Sequence, residues 1–337
     1  MQVNEIEQIE FELTSRCNAG CPNCPRTVIL NNRGVEALEL NTIRLSDIKQ
    51  WLPNTTKVRK IKFSGNLGDA GVHPELYEIV AYFSTFAKTT QIKMHTNGGM
   101  QSEKFWRNLG RLSHYINTKA DYRRFVINWA IDGLEDTNHI YRIGVKWNKV
   151  WNNLNAYLDA GGAGEWHFIS FPHNEHQIEE VERIATAYGL KMVIRKGVRN
   201  KTEGLRASNN THSQVDHPLN AKVTSKKEKV DLATQYAHTV SCMHLEQKSV
   251  FIASNNTLWP CCMLWDEHVQ KQNMYKYMPD DPNWNNLNFH SFQDILDSSW
   301  YKDLQSFWTD NVLFRCVKSC GDGGKLKTEF TTKNYND

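Results

Sequence analysis

The feature that most restricts the fold of this 337-residue chain is an alternation of extended apolar segments and helical patterns over its first 195 residues. Strands are predicted at 9–13, 58–63, 91–95, 125–131, 166–171 and 191–194. Helices are predicted between them at 41–52, 74–87, 102–112, 146–160 and 175–188. Six strands that alternate with helices predict an α/β fold with a parallel sheet. The pattern alone does not separate an open doubly wound sheet from a barrel.

A cluster of three cysteines follows the first predicted strand. Cys17, Cys21 and Cys24 lie in the loop 14–26 with the spacing C-x3-C-x2-C. This spacing supplies three thiolates, one fewer than a closed four-ligand metal site requires. An iron-sulfur cluster held in this way keeps one iron open for a further ligand. The alternatives are a zinc knuckle that takes its fourth ligand from elsewhere, a disulfide pair with a spare thiol, and buried apolar cysteines.

At this loop the sequence resembles the radical SAM superfamily, whose members bind a [4Fe-4S] cluster through such a triplet and leave the fourth iron to S-adenosylmethionine (SAM). The resemblance implies a partial (β/α)6 TIM-like barrel over residues 1–195, which agrees with the six predicted strands. The ligand site then lies at the carboxyl ends of the strands, where the cysteine loop is found. The resemblance also implies that Asn23, in the same loop, contacts the cofactor.

A glycine-rich segment after the second predicted strand resembles the superfamily motif that holds the SAM amine, usually Gly-Gly-Glu-Pro. The segment 64–71 contains Gly65, Asn66, Gly68 and Asp69. Its glycines allow close backbone approach, and Asp69 offers a carboxylate acceptor for an ammonium group. Because the acid here is Asp and Ala70 replaces the proline, Asn66 or a backbone carbonyl is an alternative contact. An ordinary strand-to-helix turn is the remaining interpretation.

Two charged residues that follow the fourth predicted strand, one directly and one further downstream, complete the predicted SAM contacts. Asp132 lies where many superfamily members have Ser-x-Asp-Gly, and Ala130 here takes the place of the serine. Arg142 lies in a segment similar to one whose arginine pairs with the SAM carboxylate, a role that suits the bidentate fork of a guanidinium. A turn-forming Asp132 and a surface Arg142 are the alternatives. The Thr-Asn-Gly turn at 96–98 is expected only to shape the site.

The carboxyl-terminal part of the sequence carries five further cysteines. Residues 196–238 contain few apolar and many small polar side chains, which predicts a linker or a mobile loop. Beyond it, two short strands around Asn255 and Asn256 predict a hairpin that brings Cys242 and Cys261 together. Over residues 239–337 this pattern resembles the small α+β twitch domain, the shorter relative of the SPASM extension. In that domain a hairpin and a helix, here at 291–308, carry an auxiliary [4Fe-4S] cluster.

The resemblance implies that this auxiliary cluster is bound by four thiolates, those of Cys242, Cys261, Cys316 and Cys320. Cys261 is preferred to Cys262 because it directly follows Pro260, as in the Pro-Cys pattern of the family. Zinc is the alternative occupant because a tetrahedral site of four thiolates suits zinc as well as an iron-sulfur cluster. His244 could also replace one thiolate.

The composition restricts the partners and the compartment. A formal net charge of +3 is too small to indicate a nucleic-acid surface. The first residues lack a signal peptide and no apolar run approaches the length of a membrane span, so we expect a cytoplasmic protein. In that compartment eight cysteines are expected to serve metal or redox chemistry rather than disulfides.

The resemblance therefore predicts an enzyme that reductively cleaves SAM to a 5′-deoxyadenosyl radical and abstracts hydrogen from an unknown substrate. An auxiliary cluster implies an oxidative outcome on a peptide or a small molecule, and the electron donor is expected to be flavodoxin- or ferredoxin-like. No residue other than the ligands of the cofactors is assigned a catalytic role. The alternative from a different class is a non-catalytic iron-sulfur or zinc protein that binds a partner or carries electrons.

Overall fold

The computed structural model describes residues 1–53, 56–196, 237–265, 278–309 and 312–321. Its strands form one sheet and are β1 (Gln8–Phe11), β2 (Lys60–Phe63), β3 (Gln91–Thr96), β4 (Phe125–Ala130), β5 (Gly164–Ser170), β6 (Lys191–Lys196), β7 (Ser249–Ile252) and β8 (Leu258–Trp259). The strand order is β6-β5-β4-β3-β2-β1-β7-β8, and every neighbouring pair is parallel except β7 and β8.

Helices fill the connections between the parallel strands. The α-helices of the described residues are α1 (Pro25–Arg33), α2 (Leu45–Trp51), α3 (Leu76–Ser84), α4 (Glu103–Thr118), α5 (Asn138–Tyr141), α6 (Trp147–Asp159), α7 (Ile178–Ala187), α8 (Met243–Glu246), α9 (Phe292–Asp297), α10 (Ser299–Lys302) and α11 (Phe314–Cys320). Short 3-10 helices lie at Val3–Glu5, Val35–Ala37, Ala70–Val72, Glu175–Gln177, Ala237–Thr239 and Leu304–Trp308. None of the helices in the described part of the chain has the length and apolar character of a membrane span.

The strand order confirms the predicted partial barrel. From β1 to β6 each strand pairs with the next one in sequence, whereas a doubly wound sheet reverses its order at a switch point. Right-handed crossovers between successive parallel strands place all the helices on the same face. The other face of the sheet therefore becomes the inside of the barrel.

Side chains alternate between these two faces. On β2 and β3, Ile61, Phe63, Ile92 and Met94 are fully buried on the helix face. There the ring of Phe63 lies 5.8 Å from that of Phe83 on α3. The residues between them in sequence are only half-buried and include charged side chains. A strand has a period of two, so these polar residues line the inside of the barrel.

The carboxyl-terminal hairpin extends the same sheet. Strand β7 pairs in parallel with β1, which would otherwise be an unprotected edge. The hairpin also starts an aromatic cluster in which the ring of Trp300 lies 6.0 Å from Trp259 and 4.8 Å from Trp284. The domain boundaries 1–195, 196–238 and 239–337 stay predictions, and the polar stretch over 197–236 lies outside the described residues.

Several helix predictions need correction. The helix predicted at 291–308 is divided into α9, α10 and a 3-10 turn, because Ser298 has an extended backbone and its side chain caps α10 by accepting from Tyr301 N. Helix α4 continues beyond the predicted 102–112 as far as Thr118. Helix α1 was not predicted. It begins at Pro25, a residue favoured in the first turn, with Cys24 as its N-cap.

Candidate active site

One cavity of about 350 Å³ lies at the carboxyl ends of strands β1 to β4. The structure brings most of the predicted site residues onto its wall, namely Cys17, Cys21, Cys24, Gly65, Asn66, Gly68, Asp69 and Arg142. Two predicted residues do not line it. Asn23 is half-buried in the cysteine loop, and Asp132 is fully buried behind Arg142.

The cysteine loop holds three thiols against this cavity. Gly20 N donates to Ile143 O at 2.9 Å, and Cys24 N donates to Cys21 O at 3.1 Å, so backbone contacts keep the loop folded. All three cysteines are free thiols. Burial raises the pKa of Cys17 to about 12 and also raises the pKa of Cys21. Metal binding displaces thiol protons, and three thiols that face one cavity are a donor set that fits an iron-sulfur cluster.

The Asp69 carboxylate is occupied by donors of the protein itself. Oδ1 accepts from Gly71 N at 2.8 Å and from Thr96 Oγ1 at 2.7 Å. Oδ2 accepts from the backbone N and the side-chain Nδ2 of Asn97, both at 2.7 Å. Burial raises the pKa of Asp69, and these donors oppose that rise. The predicted ammonium contact through Asp69 is therefore not favoured by the geometry, which gives this side chain the role of joining the β2 and β3 loops.

Arg142 is a half-buried residue of the cavity wall rather than a surface arginine. Its side chain is 16% exposed, and its Nε donates to Asp132 Oδ2 at 2.7 Å. Asp132 Oδ1 accepts from Ile169 N at 2.7 Å, so β5 fixes the carboxylate. Arg142 Nη1 lies 3.8 Å from Cys21 Sγ. Burial lowers the pKa of Arg142, but Asp132, Cys21 and Tyr141 together raise it above its ordinary value, so the guanidinium stays charged beside the thiols.

Comparison with solved structures identifies the fold. Streptococcus suis SuiB bound to S-adenosylmethionine matches with a TM-score of 0.55 and 14% identity, over 90% of this chain and 68% of that chain. SuiB bound to its precursor peptide SuiA matches with a TM-score of 0.56 and 12% identity, over 91% and 68%. The protein anSMEcpe with bound AdoMet and the Cp18Cys peptide matches with a TM-score of 0.51 and 10% identity, over 96% and 92%.

These solved proteins are radical SAM enzymes. The chain has the radical SAM fold. A curated relative, the GTP 3′,8-cyclase of Microcystis aeruginosa (strain NIES-843 / IAM M-2473), is also a radical SAM enzyme and is 26% identical over 170 residues. That match spans 47% of this chain and less than half, 46%, of the relative. No family model matches the sequence.

Within this radical SAM fold, the cavity also contains residues to which the sequence analysis assigned no contact with the cofactor. Asn97 Nδ2 donates to Asn18 Oδ1 of the cysteine loop at 2.9 Å, so the Thr-Asn-Gly turn positions that loop as well as Asp69. The position of this turn at the end of β3 was the available signal. Cys262 and Arg315 reach the cavity from the carboxyl-terminal segment, and no local pattern in the sequence indicates this contact.

The remaining predicted metal ligands line a second cavity of the protein. It is lined by four cysteines, Cys242, Cys261, Cys316 and Cys320. Pro260, Leu264 and Leu304 are among its apolar neighbours. The structure places Cys261 on this cavity and Cys262 on the first one. Burial, with smaller contributions from nearby Cys242 and Cys320, raises the pKa of Cys261 to about 12.

Two further observations concern the residues that could bind a metal ion at or near this second cavity. The ring of His244 is buried and pairs through Nδ1 with the backbone oxygen of Ser249. His244 is not on the wall of the four-cysteine cavity. Over the described ranges, no three His, Cys, Asp or Glu side chains are arranged to hold a single metal ion.

Proposed function

We propose that this chain is a radical SAM enzyme that cleaves SAM reductively and abstracts a hydrogen atom from a substrate. The observation that carries the proposal is the set of three thiols, from Cys17, Cys21 and Cys24, on one cavity at the carboxyl ends of the barrel strands. When bound, a [4Fe-4S] cluster and SAM would supply the electron and the 5′-deoxyadenosyl radical. Three protein ligands leave one iron for SAM, whereas an electron carrier needs no open position.

The residues of the chain hold and orient these groups. Arg142 is charged, half-buried and fixed by Asp132, which suits it to bind the SAM carboxylate. Gly65 and Gly68 let the β2 loop close, because a Cβ at Gly68 would lie 1.8 Å from Thr14 O. With Asp69 engaged by the protein, Asn66 or a backbone carbonyl of this loop is the better partner for the SAM amine. Asn23 retains its proposed cofactor contact from the cysteine loop.

We further propose an auxiliary [4Fe-4S] cluster on the second set of cysteines, Cys242, Cys261, Cys316 and Cys320. These four thiols line one cavity, and together they would give a cluster four protein ligands and leave no open position. Zinc on the same four thiolates remains the second candidate. An auxiliary cluster favours an oxidative outcome, because it can take an electron from a substrate radical.

A peptide or a small molecule is the proposed substrate class. SuiB and anSMEcpe, which share the fold, were solved with peptides bound, and this supports a peptide. The electron donor is proposed to be flavodoxin- or ferredoxin-like. All eight cysteines are free thiols, which supports a reducing compartment such as the cytoplasm.

The test is the iron content and SAM cleavage of anaerobically reconstituted protein. We expect about eight irons per chain, and about four after Cys17, Cys21 and Cys24 are changed to Ala. The same variant should form no 5′-deoxyadenosine under dithionite. Cys262→Ala is the matched control because Cys262 lines the same cavity outside the triplet. SAM cleavage that persists in the triple variant, or wild-type protein that binds little iron, would overturn the proposal.

A further inference from the structure

The inside of the barrel carries cations that the proposed function leaves unused. The strand register places Lys62 of β2 directly beside Lys93 of β3, and Lys60 lies two residues before Lys62 on the same face of β2. Their neighbours Ile61 and Ile92 are fully buried on the helix face. The alternation of the strands therefore turns all three lysines into the barrel, where they are half-buried.

These lysines are close to one another, and the acidic residues nearest to them are Glu10, which opposes Lys62 in register, and Glu165, whose pKa Lys93 helps to lower. Burial lowers the pKa of Lys60, and the nearby Lys62 and Lys93 lower it further. In the part of the chain that the structure describes, no carboxylate forms an ion pair with Lys62 or Lys93. Like charges on directly paired strand positions destabilise a sheet. A bound anion would remove this repulsion.

The acidic residues of the same face already have partners. Glu10, which pairs with Lys62 in register, accepts a hydrogen bond from Ser64 Oγ at 2.5 Å. Glu165 on β5 lies 3.0 Å from His167 Nε2. The inner face thus carries more cations than anions, since the lysines are joined by Arg195 on β6.

The lysines connect to the candidate active site through His95. This residue lies two positions after Lys93 on the same face of β3 and lines the first cavity, the candidate active site. Two strand residues span about 7 Å, so an anion at the lysines lies one side-chain layer below the cavity. Asn128 pairs with His95 in register and is 4% exposed, and its Oδ1 has no hydrogen-bond partner. An unpartnered buried polar atom at this position indicates a missing ligand.

We propose that Lys62 and Lys93 bind an anionic group of the substrate, a carboxylate or a phosphate, while the reacting carbon lies in the cavity above. This inference rests on the proposed function, because it takes that cavity as the place of reaction. Asn128 and His95 lie between the two positions and contact the part of the substrate that joins them. The substrate is then a small or peptidic molecule whose negative charge lies about one strand layer from the carbon that loses hydrogen.

The test is calorimetric titration of the full-length, anaerobically reconstituted protein with inorganic phosphate and, in parallel, with acetate. We expect saturable binding to wild type that weakens about tenfold or more in Lys62→Met/Lys93→Met, because a charged hydrogen-bonding pair is lost. The charge-retaining variant Lys62→Arg/Lys93→Arg should keep binding. Lys104→Met, at an exposed position on α4, is the control.

Each outcome gives a clear result. Tighter phosphate than acetate binding supports a phosphorylated substrate, and the reverse supports a carboxylate. The inference is overturned if neither phosphate nor acetate binds to the wild type. It is also overturned if Lys62→Met/Lys93→Met binds these anions as tightly as Lys104→Met does. If the Met variant does not fold, loss of binding in the folded Arg variant also overturns it. Iron content and 5′-deoxyadenosine formation of the wild type are measured separately, so failure of the proposed function is recognised on its own.

Discussion

The two cysteine cavities of this protein differ in what surrounds the thiols. The first has three cysteines among polar groups, with Arg142 3.8 Å from Cys21 and Asn97 in contact with the cysteine loop. The second has four cysteines among apolar side chains such as Leu264 and Leu304. The first cavity therefore provides several binding groups for a polar ligand, whereas the second is mainly apolar around its thiols and has Arg315 and Ser319 as its other polar side chains.

This difference indicates that the two sets of cysteines, although they offer the same type of ligand, serve different tasks. A cluster with an open iron needs charged and hydrogen-bonding groups around it to orient what binds there. A cluster with four protein ligands needs no such groups, and its apolar surroundings affect mainly its potential and stability. The predictions below test this comparison.

The largest expected effect separates the two cavities. Cys316→Ala/Cys320→Ala should lose about four irons but still form 5′-deoxyadenosine, because the first cavity keeps its ligands. The triple variant of Cys17, Cys21 and Cys24 should lose that activity entirely. Iron analysis, electron paramagnetic resonance and chromatographic detection of 5′-deoxyadenosine provide the measurement. A folded second-cavity variant with no SAM cleavage would contradict the division of tasks.

A smaller effect concerns the cation of the first cavity. Arg142→Met should weaken SAM binding by about 10- to 100-fold, because a charged hydrogen bond to the SAM carboxylate contributes about 1.5–3 kcal/mol. Equilibrium binding of SAM to reconstituted protein measures this change. The control is Arg183→Met, because Arg183 is exposed and pairs only locally with Glu180. Unchanged affinity in the Arg142 variant would remove Arg142 from the binding site.

The third prediction concerns the carboxylate that joins the β2 and β3 loops. Asp69→Asn should lower the free energy of unfolding by about 1–3 kcal/mol, because an amide cannot accept from all four buried donors. Urea unfolding of the apoprotein measures the change. Asp121→Asn, at an exposed position, is the control. A change as small as that of the control would show that the four donors find other partners.

The last prediction concerns pH and the inside of the barrel. Burial, with nearby His167, Arg195, Lys62 and Lys93, lowers the pKa of His95 to about 3. The unfolded chain binds this proton near pH 6.5, so stability from the neutral ring is lost as pH falls from about 6.5 toward 3. Glu165 on β5 also faces this group of charges.

Between pH 8 and pH 5, the free energy of unfolding of His95→Gln should fall by up to about 2 kcal/mol less than that of the wild type. Urea unfolding at several pH values measures the slope. His114→Gln, at an exposed position, should show the same slope of unfolding free energy against pH as the wild type. Equal slopes in the His95 and His114 variants would mean that folding does not lower the pKa of His95.

Much of the fold could be predicted because its signals are local. The six strands of the barrel were predicted from extended apolar segments that alternate with helical patterns, and the structure has a strand at each place. Helix α1 was missed because its apolar pattern is weak and only Ile29 and Thr27 are buried. The break at Ser298 was missed because an apolar pattern continues on both sides of it.

The sequence by itself determined the cysteine spacing, the number of thiols in each set and the alternation that requires parallel strands, because these depend on residues close together in the chain. Only the tertiary structure showed that Asp69 is occupied by Thr96 and Asn97, and that adjacent Cys261 and Cys262 face different cavities. It also placed Lys62 beside Lys93, which are 31 positions apart by their numbers. Such contacts depend on strand register and on packing between distant segments, which no local pattern encodes.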